Sequence, residues 1–548
     1  LSERGLAGTK RTDQRGIAVI DKKVERVTRT LALEAFKMAS SDGAPHTADA
    51  VGAPPAVEQV KQAAKEQQID PYNVSGGVDE NGNVTAIDYD ALRERFNTPA
   101  LTQEHLDRFE RVTGKPPHRL MRRKLFFSHR DFDKILDYYE KYGFFLLYTG
   151  RGPSSGSMHL GHAVPFLFTK ELQEIFDVPL VVMLTDDEKF LYTRNKNQGK
   201  ITKGAALGDF IEYAKQNCKD IIALGFDLKK TFIYTDYEYM GGHFYQNITE
   251  FEALLTNNQI RGAMGFDGST NIGLNAYAAK QCVAAFASSY PTLFGAGDFR
   301  APNYEEARPR KHIAAIPTLI PCAIDQEPYF RLLRENCDRM EFPAPKTALI
   351  LSKFLTALQG PGGKMSASDP NSAIFMSDTS KQIEKKVNRF AFSGGGATKE
   401  DHEKYGGNPD VDVAYAYLSY FLESDDELKE IEQSYRKGTL STGELKKRCI
   451  QELQKFVEAF QERRSKVTDE IMREFMTPRK LEFKGNPNAT ASIEEAVTEK
   501  KPEEKQENTS GKLTKGERKA LKIAEKKAEK LALREKGQAG EEPKAEEA

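Results

Sequence analysis

Short apolar runs alternate with longer amphipathic stretches through the middle of this 548-residue chain, and that alternation constrains the fold most. FFLLYTG (144–150) is a continuous apolar run ending at glycine, the pattern of a strand buried on both faces. The loop GRGPSSGSM leads into the helical pattern HLGHAVPFLFTKELQEIF (159–176). VPLVVMLTDD (178–187) reads as a second buried strand and 206–224 as a helix. TFIYTD (231–236), AIPTLIPCAID (315–325) and TALILSKF (347–354) supply further strands. Strands alternating with helices predict an α/β domain over 144–375 with a parallel, doubly wound, Rossmann-like sheet. Such sheets bind ligands beyond the carboxyl ends of their strands. Polar clusters fall there: Tyr148-Thr149-Gly150-Arg151, Thr185-Asp186-Asp187-Glu188 and Asp325-Gln326.

The flanks read differently. Residues 58–68 have a helical pattern stopped at Asp70-Pro71, because a residue before proline avoids the helical region. DENGNV (79–84) is a hairpin signal with Asn-Gly at its centre. Helical patterns follow at 88–96, 102–112 and 130–141, so 58–143 is expected to pack on the α/β domain as a hairpin and helices. Beyond residue 376 the patterns at 377–390, 411–423, 425–436, 442–463 and 465–475 predict an α-helical domain over 376–483.

Residues 1–57 and 484–548 are expected to be disordered tails. The first methionine is Met38, and 1–37 carries nine basic and five acidic residues. That is too acidic for a transit peptide, and Met38 is expected to be the start. In the second tail, 513–536 is rich in helix formers. With Lys512 it holds ten basic and four acidic residues, an appended basic helix.

Formal net charge is −1, with 80 basic and 81 acidic residues, so any nucleic-acid partner must be met by local patches. Five widely spaced cysteines without a C-x-x-C pair fit a reducing compartment and argue against a disulfide framework or zinc ribbon. No apolar run approaches the roughly 20 residues that cross a bilayer, so a soluble protein with no membrane partner is expected. There is no tryptophan beside 21 Tyr and 32 Phe.

The stretch GSMHLGHAVPF sets His159 and His162 three apart at the start of a helix. A zinc site needs three or four ligands, and the Glu of H-E-x-x-H is absent, so no residue is assigned to a metal. PGGKMSASDP (361–370) places Lys364 in a glycine-rich loop with hydroxyls at Ser366 and Ser368. Together the two stretches resemble the paired signatures of class I aminoacyl-tRNA synthetases, the H-I-G-H element at His159-Leu160-Gly161-His162 and the K-M-S-K-S element at Lys364-Met365-Ser366-Ala367-Ser368.

The chemistry that this resemblance implies suits the residues. A carboxylate attacks the α-phosphate of ATP, with Mg2+ accompanying the nucleotide, and pyrophosphate leaves. Charge grows on the phosphates, so fixed donors and cations lower the barrier. His159 and His162 at a helix N-terminus can donate to phosphate oxygens. Gly161 lets adenine lie close to the backbone. Lys364 can close over the pyrophosphate, and Arg151, flanked by Thr149, Gly150 and Gly152, can clamp the α-phosphate.

The likeness extends from about residue 60 to 483. YTGRGPSSGSMHLGH, VPLVVMLTDDEKF, IPCAIDQEPYFR, KMSASDPNSAIF and GGNPDVDVAYAYL resemble tryptophanyl-tRNA synthetase of the eukaryotic cytosolic type. That resemblance implies L-tryptophan and tRNA(Trp) as partners, a homodimer, and a helical domain that reads the anticodon. It also implies that Tyr148 meets the indole N–H and Glu188 the substrate ammonium. Gln281 and Gln326 would hold the bound amino acid, and Asp325 the ATP ribose.

Two departures stand out. The family carries a glutamine, a second indole partner, where this chain has Met183, so selectivity against tyrosine is expected to weaken. Lys280 is unusual beside the pocket. Lys446, Lys447, Arg448, Arg463, Arg464, Arg479 and Lys480 are candidate tRNA contacts. Three rivals are a tyrosyl-tRNA synthetase, a small-molecule nucleotidyltransferase and a non-catalytic protein on the same scaffold.

Overall fold

The computed structural model describes residues 65–80, 84–295, 313–367 and 369–491. β1 (Gln68–Ile69) and β2 (Val74–Ser75) form a small antiparallel hairpin. One sheet contains β3 (Phe126–Arg130), β4 (Leu146–Arg151), β5 (Leu180–Leu184), β6 (Thr231–Thr235), β7 (Thr318–Ala323) and β8 (Ala348–Ser352). β9 (Thr356–Ala357) and β10 (Gly360–Lys364) form a second hairpin. The central order is β3-β8-β7-β4-β5-β6, parallel throughout except for β3. Every residue of β5, β6 and β8 is buried, because helices cover both faces of the sheet. The doubly wound sheet expected from the alternating runs is therefore present.

The topology places the site. From β4 the chain winds outward through β5 and β6, then returns to lay β7 and β8 on the other side. β4 pairs with β5 from Leu147 to Arg151. It pairs with β7 only at Leu146 and Leu147, so the two strands part just before Tyr148. A crevice opens at this switch point, as the order reversal requires.

Several expectations need correction. Phe126–Arg130 is the antiparallel edge strand of the central sheet, so the sheet starts before residue 144. The helix expected at 130–141 is Phe132–Tyr142, and the strand ahead of it carried no alternation to reveal it. Residues 65–68 are extended, with Lys65 bridged to Val78, and the rest of the helix expected at 58–68 lies outside the described residues. Asp70 and Pro71 make a turn. The Asp70 carboxylate accepts the N–H groups of Tyr72 and Asn73 at 2.9 and 2.8 Å, which reverses the chain into β2. Val78 and Val84 pair antiparallel across the expected hairpin, whose tip at 81–83 is outside the described residues.

Beyond the sheet, helices form at Ser380–Phe390, Val413–Phe421, Asp425–Arg436, Thr442–Arg464 and Asp469–Met476, close to the expected positions. A further helix, Lys399–Tyr405, was not expected. Ser441 and Glu444 form a capping box that starts the longest of them.

Most of the basic residues read as tRNA contacts are occupied at home. Arg463 donates to the Ala223 carbonyl at 2.7 Å, Arg464 to Asp220 at 2.7 Å, and Arg479 to the carbonyls of Leu228 and Thr231. Arg448 binds Glu427 and Glu452, and Lys446 the Ala391 carbonyl. These groups tie the helices together and to the α/β domain.

The tail also begins later than residue 484. Gly485 N–H donates to Asp177 O at 2.9 Å, and Asn486 and Ala491 donate to the carbonyls of Gly143 and Lys141. Gly485 sits at φ +65°, and a Cβ there would come 2.0 Å from Gly143 O. Residues 1–57 and 492–548, with the basic helix at 513–536, lie outside the described residues. All five cysteines are free and buried. No described helix is long and apolar enough to cross a membrane.

Candidate active site

A cleft of about 750 Å³ occupies the crevice between β4 and β7. It gathers Tyr148, Thr149, Gly150, Arg151 and Gly152 from β4 and its loop, and His159, Gly161 and His162 from the next helix start. Glu188, Gln281, Asp325 and Gln326 reach it from other elements, and Lys364, Met365, Ser366 and Ala367 from the β10 loop. The sequence-predicted residues therefore converge, apart from Ser368, which lies outside the described residues, and Met183, which stands behind Tyr148.

One end is apolar with a single line of polar contacts. Tyr277 and Gln281 lie one turn apart on the helix Ile272–Val283, so both face the cleft. Tyr277 Oη donates to Gln281 Oε1 at 2.9 Å, and Gln281 Nε2 donates to Tyr148 Oη at 2.9 Å. Tyr148 Oη in turn donates to Met183 Sδ at 3.0 Å. Burial pushes the Tyr148 hydroxyl well above its ordinary range, so it keeps its proton.

The other end is rich in nitrogen. His159 caps the helix Leu160–Phe176, and its ring stacks on His162 with centroids 3.4 Å apart. Gly161 between them leaves room for the stack, since a Cβ there would come 3.2 Å from the His159 ring. Neither ring nitrogen of His159 has a partner among the described residues. Burial, then Arg151 and Lys364, hold the His159 ring down at about 3, and His162 is held well below the usual range. Both rings are neutral near pH 7, so each offers one N–H and no charge.

The positive charge comes from Arg151, Lys189 and Lys364. Arg151 is 8% exposed, and its Nε and Nη2 have no partner among the described residues. Burial lowers its guanidinium to about 10, which still leaves it charged. Lys364 Nζ lies 2.9 Å from Asp325 Oδ2, and Lys189 Nζ 2.9 Å from Glu188 Oε2. Fixed N–H donors around a concave space, with two lysines at its edge, make an anion site.

The acids of TDDEK start a helix, Asp186–Lys196, instead of ending a strand. Carboxyl oxygens of Asp186, Asp187 and Asp236 come within 4.8 Å of one another. Lys280 closes this group, with Nζ 2.6 Å from Asp187 Oδ2. Burial and Asp187 raise Asp186 to about 7, and burial with Asp187 raises Asp236 well above the carboxylate range. An ammonium and retained protons thus balance the charge.

Sequence reasoning missed the cover of the cleft. Tyr72, carried on the turn between β1 and β2, hydrogen-bonds Tyr329 at 2.7 Å and stacks on Tyr192 at 5.1 Å. Gly76 N–H donates to Gly362 O at 3.0 Å, which joins the first hairpin to the Lys364 loop. Tyr329 sits in the quoted run IPCAIDQEPYFR, whereas nothing local to Tyr72 marked it.

Residues 141–458 match the family of class I tRNA synthetases for W and Y. A cytoplasmic tryptophan–tRNA ligase of Saccharomyces cerevisiae is 49% identical, over 80% of this chain and 95% of that protein. The cytoplasmic tryptophan–tRNA ligase of Homo sapiens is 48% identical, over 77% of this chain and 83% of that one. Among solved structures, tryptophanyl-tRNA synthetase from Giardia lamblia has 39% identity and a TM-score of 0.64, covering 72% of this chain and 97% of that one. The Encephalitozoon cuniculi enzyme, solved bound to tryptophan, has 35% identity and a TM-score of 0.59, covering 72% of this chain and all of that one. The tyrosyl reading is not favoured by these relatives, and the chain belongs to the class I tRNA synthetases, within them to the tryptophan–tRNA ligases.

Proposed function

We propose that this chain joins L-tryptophan to ATP, forming tryptophanyl-adenylate and pyrophosphate, and passes the tryptophanyl group to the terminal ribose of tRNA(Trp). The observation that carries the reading is one cleft with two unlike ends. Free donors of Arg151 and His159 lie at one, and the Tyr277-Gln281-Tyr148 line at the other. Tyr148 Oη accepts the indole N–H, Glu188 holds the substrate ammonium, and Gln281 and Gln326 flank the amino acid. Thr149, Gly150, Gly152 and Gly161 let the nucleotide lie against the backbone. Asp325 takes the ribose. Arg151, His159 and His162 hold the phosphates, and Lys364 with Met365, Ser366, Ala367 and Ser368 closes over the pyrophosphate.

In that arrangement the carboxylate oxygen of tryptophan attacks the α-phosphorus in line, and the bond to pyrophosphate breaks. No side chain forms a covalent intermediate; positioning and charge stabilisation supply the rate. Mg2+ enters on ATP, because the acids at the cleft, Asp325 and Glu188, are already paired with Lys364 and Lys189. The helices after residue 376 form the anticodon-reading domain, and single-stranded bases suit such recognition. Its contacts come from cations not spent internally, which puts Lys447 ahead of Arg463, Arg464 and Arg479. The enzyme works in the cytoplasm as a homodimer. ATP–pyrophosphate exchange, run with tryptophan and with tyrosine, tests the reading. Exchange with tryptophan alone is expected, and exchange with tyrosine alone or with neither would overturn it.

A further inference from the structure

Gly150 on β4 pairs with Met183 on β5, so Met183 shares a sheet face with Tyr148, two residues before Gly150. Gly150 has no side chain to separate them, and the thioether reaches the phenol: Tyr148 Oη to Met183 Sδ is 3.0 Å. Met183 is wholly buried and Tyr148 1% exposed, so water does not intervene.

A thioether sulfur accepts hydrogen bonds weakly and carries no hydrogen. The hydrogen between these residues therefore belongs to Tyr148. Gln281 points its amide N–H at the same phenol oxygen, an orientation fixed because Gln281 Oε1 accepts from Tyr277. With the amide reversed, the Tyr277 hydrogen would lose its acceptor. The line then runs from Tyr277 through Gln281 to Tyr148 and Met183, and the Tyr148 oxygen, which accepts from Gln281, keeps one lone pair for a ligand.

We propose that Met183 is a positioning residue for substrate selection: by taking the Tyr148 hydrogen it makes Tyr148 an acceptor only, so the site requires a donor on the substrate ring. The inference rests on the tryptophan reading above. It concerns rings that carry no donor; tyrosine, whose hydroxyl can also donate, is not rejected by this device. Methionine does not bind the indole; it decides which way Tyr148 faces it. A ring with the same outline and no N–H, such as 3-(3-benzothienyl)alanine, leaves that lone pair unanswered inside a buried site.

The test is pyrophosphate exchange with full-length protein, comparing kcat/KM for tryptophan with that for 3-(3-benzothienyl)alanine. The wild type should prefer tryptophan by about tenfold or more, the effect of one unanswered buried polar group. Met183→Leu, close in volume and without an acceptor, releases the Tyr148 hydrogen toward the ligand. Its preference should fall about tenfold, through KM more than kcat.

An unchanged preference in a Met183→Leu protein that still activates tryptophan would overturn the inference. Should Met183→Leu not fold, Met183→Ile takes its place: a preference lowered about tenfold supports acceptor control, and an unchanged one refutes it. In a Tyr148→Phe background the leucine change should add nothing, and an equal further loss there would show that Met183 acts without Tyr148. Wild-type protein that activates no tryptophan would sink the underlying reading instead, so the two failures are separable.

Discussion

Arg151 offers the sharpest test, because its fold stability and its chemistry should move in opposite directions. The guanidinium is 8% exposed, and two of its nitrogens lack partners among the described residues. Burial lowers it from the ordinary arginine range to about 10. At ~1.4 kcal/mol per unit the charged form is disfavoured by roughly 3 kcal/mol in the folded protein. The sign follows from linkage. A base whose folded value is depressed binds its proton more tightly unfolded, so below about pH 10 the charge destabilises the fold. Arg151→Met keeps the stem and removes the charge.

Its thermal midpoint should rise, by about 1–4 °C for ~1–2 kcal/mol left after lost stem contacts in a chain this long. Two charge-assisted hydrogen bonds to phosphate, at ~1.5–3 kcal/mol each, predict a fall of ~10²–10⁴ in kcat/KM for ATP. Arg151→Lys, which keeps charge and loses the fork, should fall between. Exchange kinetics and thermal melts on the same preparations are the assays. A methionine variant within about threefold of wild type, or one that melts several degrees lower with full activity, would refute the argument.

Other perturbations read separate parts of the structure. Lys364→Ala should lower the exchange rate by about 10²–10³ and lower the midpoint by no more than about 1–2 °C, since the lysine of its pair with Asp325 is 39% exposed. Lys280→Met leaves Asp187 facing two other carboxyls. Denaturant titration should show a loss of about 1–3 kcal/mol, less than for a fully buried pair because the lysine is 29% exposed. Gly406 has φ +77°, and a Cβ there would sit 1.9 Å from Arg436 O, so Gly406→Ala should cost about 2–4 kcal/mol by denaturant titration.

The histidines give a pH prediction. His159 is held at about 3 and His162 well down, so neither charges between pH 6 and 8 in the free enzyme, and kcat/KM for ATP should show no histidine inflection there. Their depressed values also mean that the stability they contribute is complete above pH 6.5 and is lost as pH falls toward 3. An inflection near 6.5 that disappears in His159→Asn would contradict this.

Read alone, the sequence determined the class of sheet, because strands buried on both faces must be continuous apolar runs separated by helices. It determined the site's main parts too, since Tyr148–Arg151, Thr185–Glu188 and Asp325-Gln326 sit at strand ends that a doubly wound sheet brings together, and HLGH and KMSAS resemble a known pair of signatures. Composition and periodicity act over a few residues, and there they sufficed. What depends on distant neighbours was decided only by the fold. β3 is a strand because β8 lends it hydrogen bonds. Tyr72 covers the cleft from over two hundred and fifty positions away from Tyr329. Arg463, Arg464 and Arg479 look like free cations in sequence and are spent on carbonyls and a carboxylate of the α/β domain. Met183 shows the limit most clearly. As a letter in the chain it is an apolar substitute for an amide, and only the register of β4 on β5 sets its sulfur against the Tyr148 hydroxyl and so gives that hydrogen a direction.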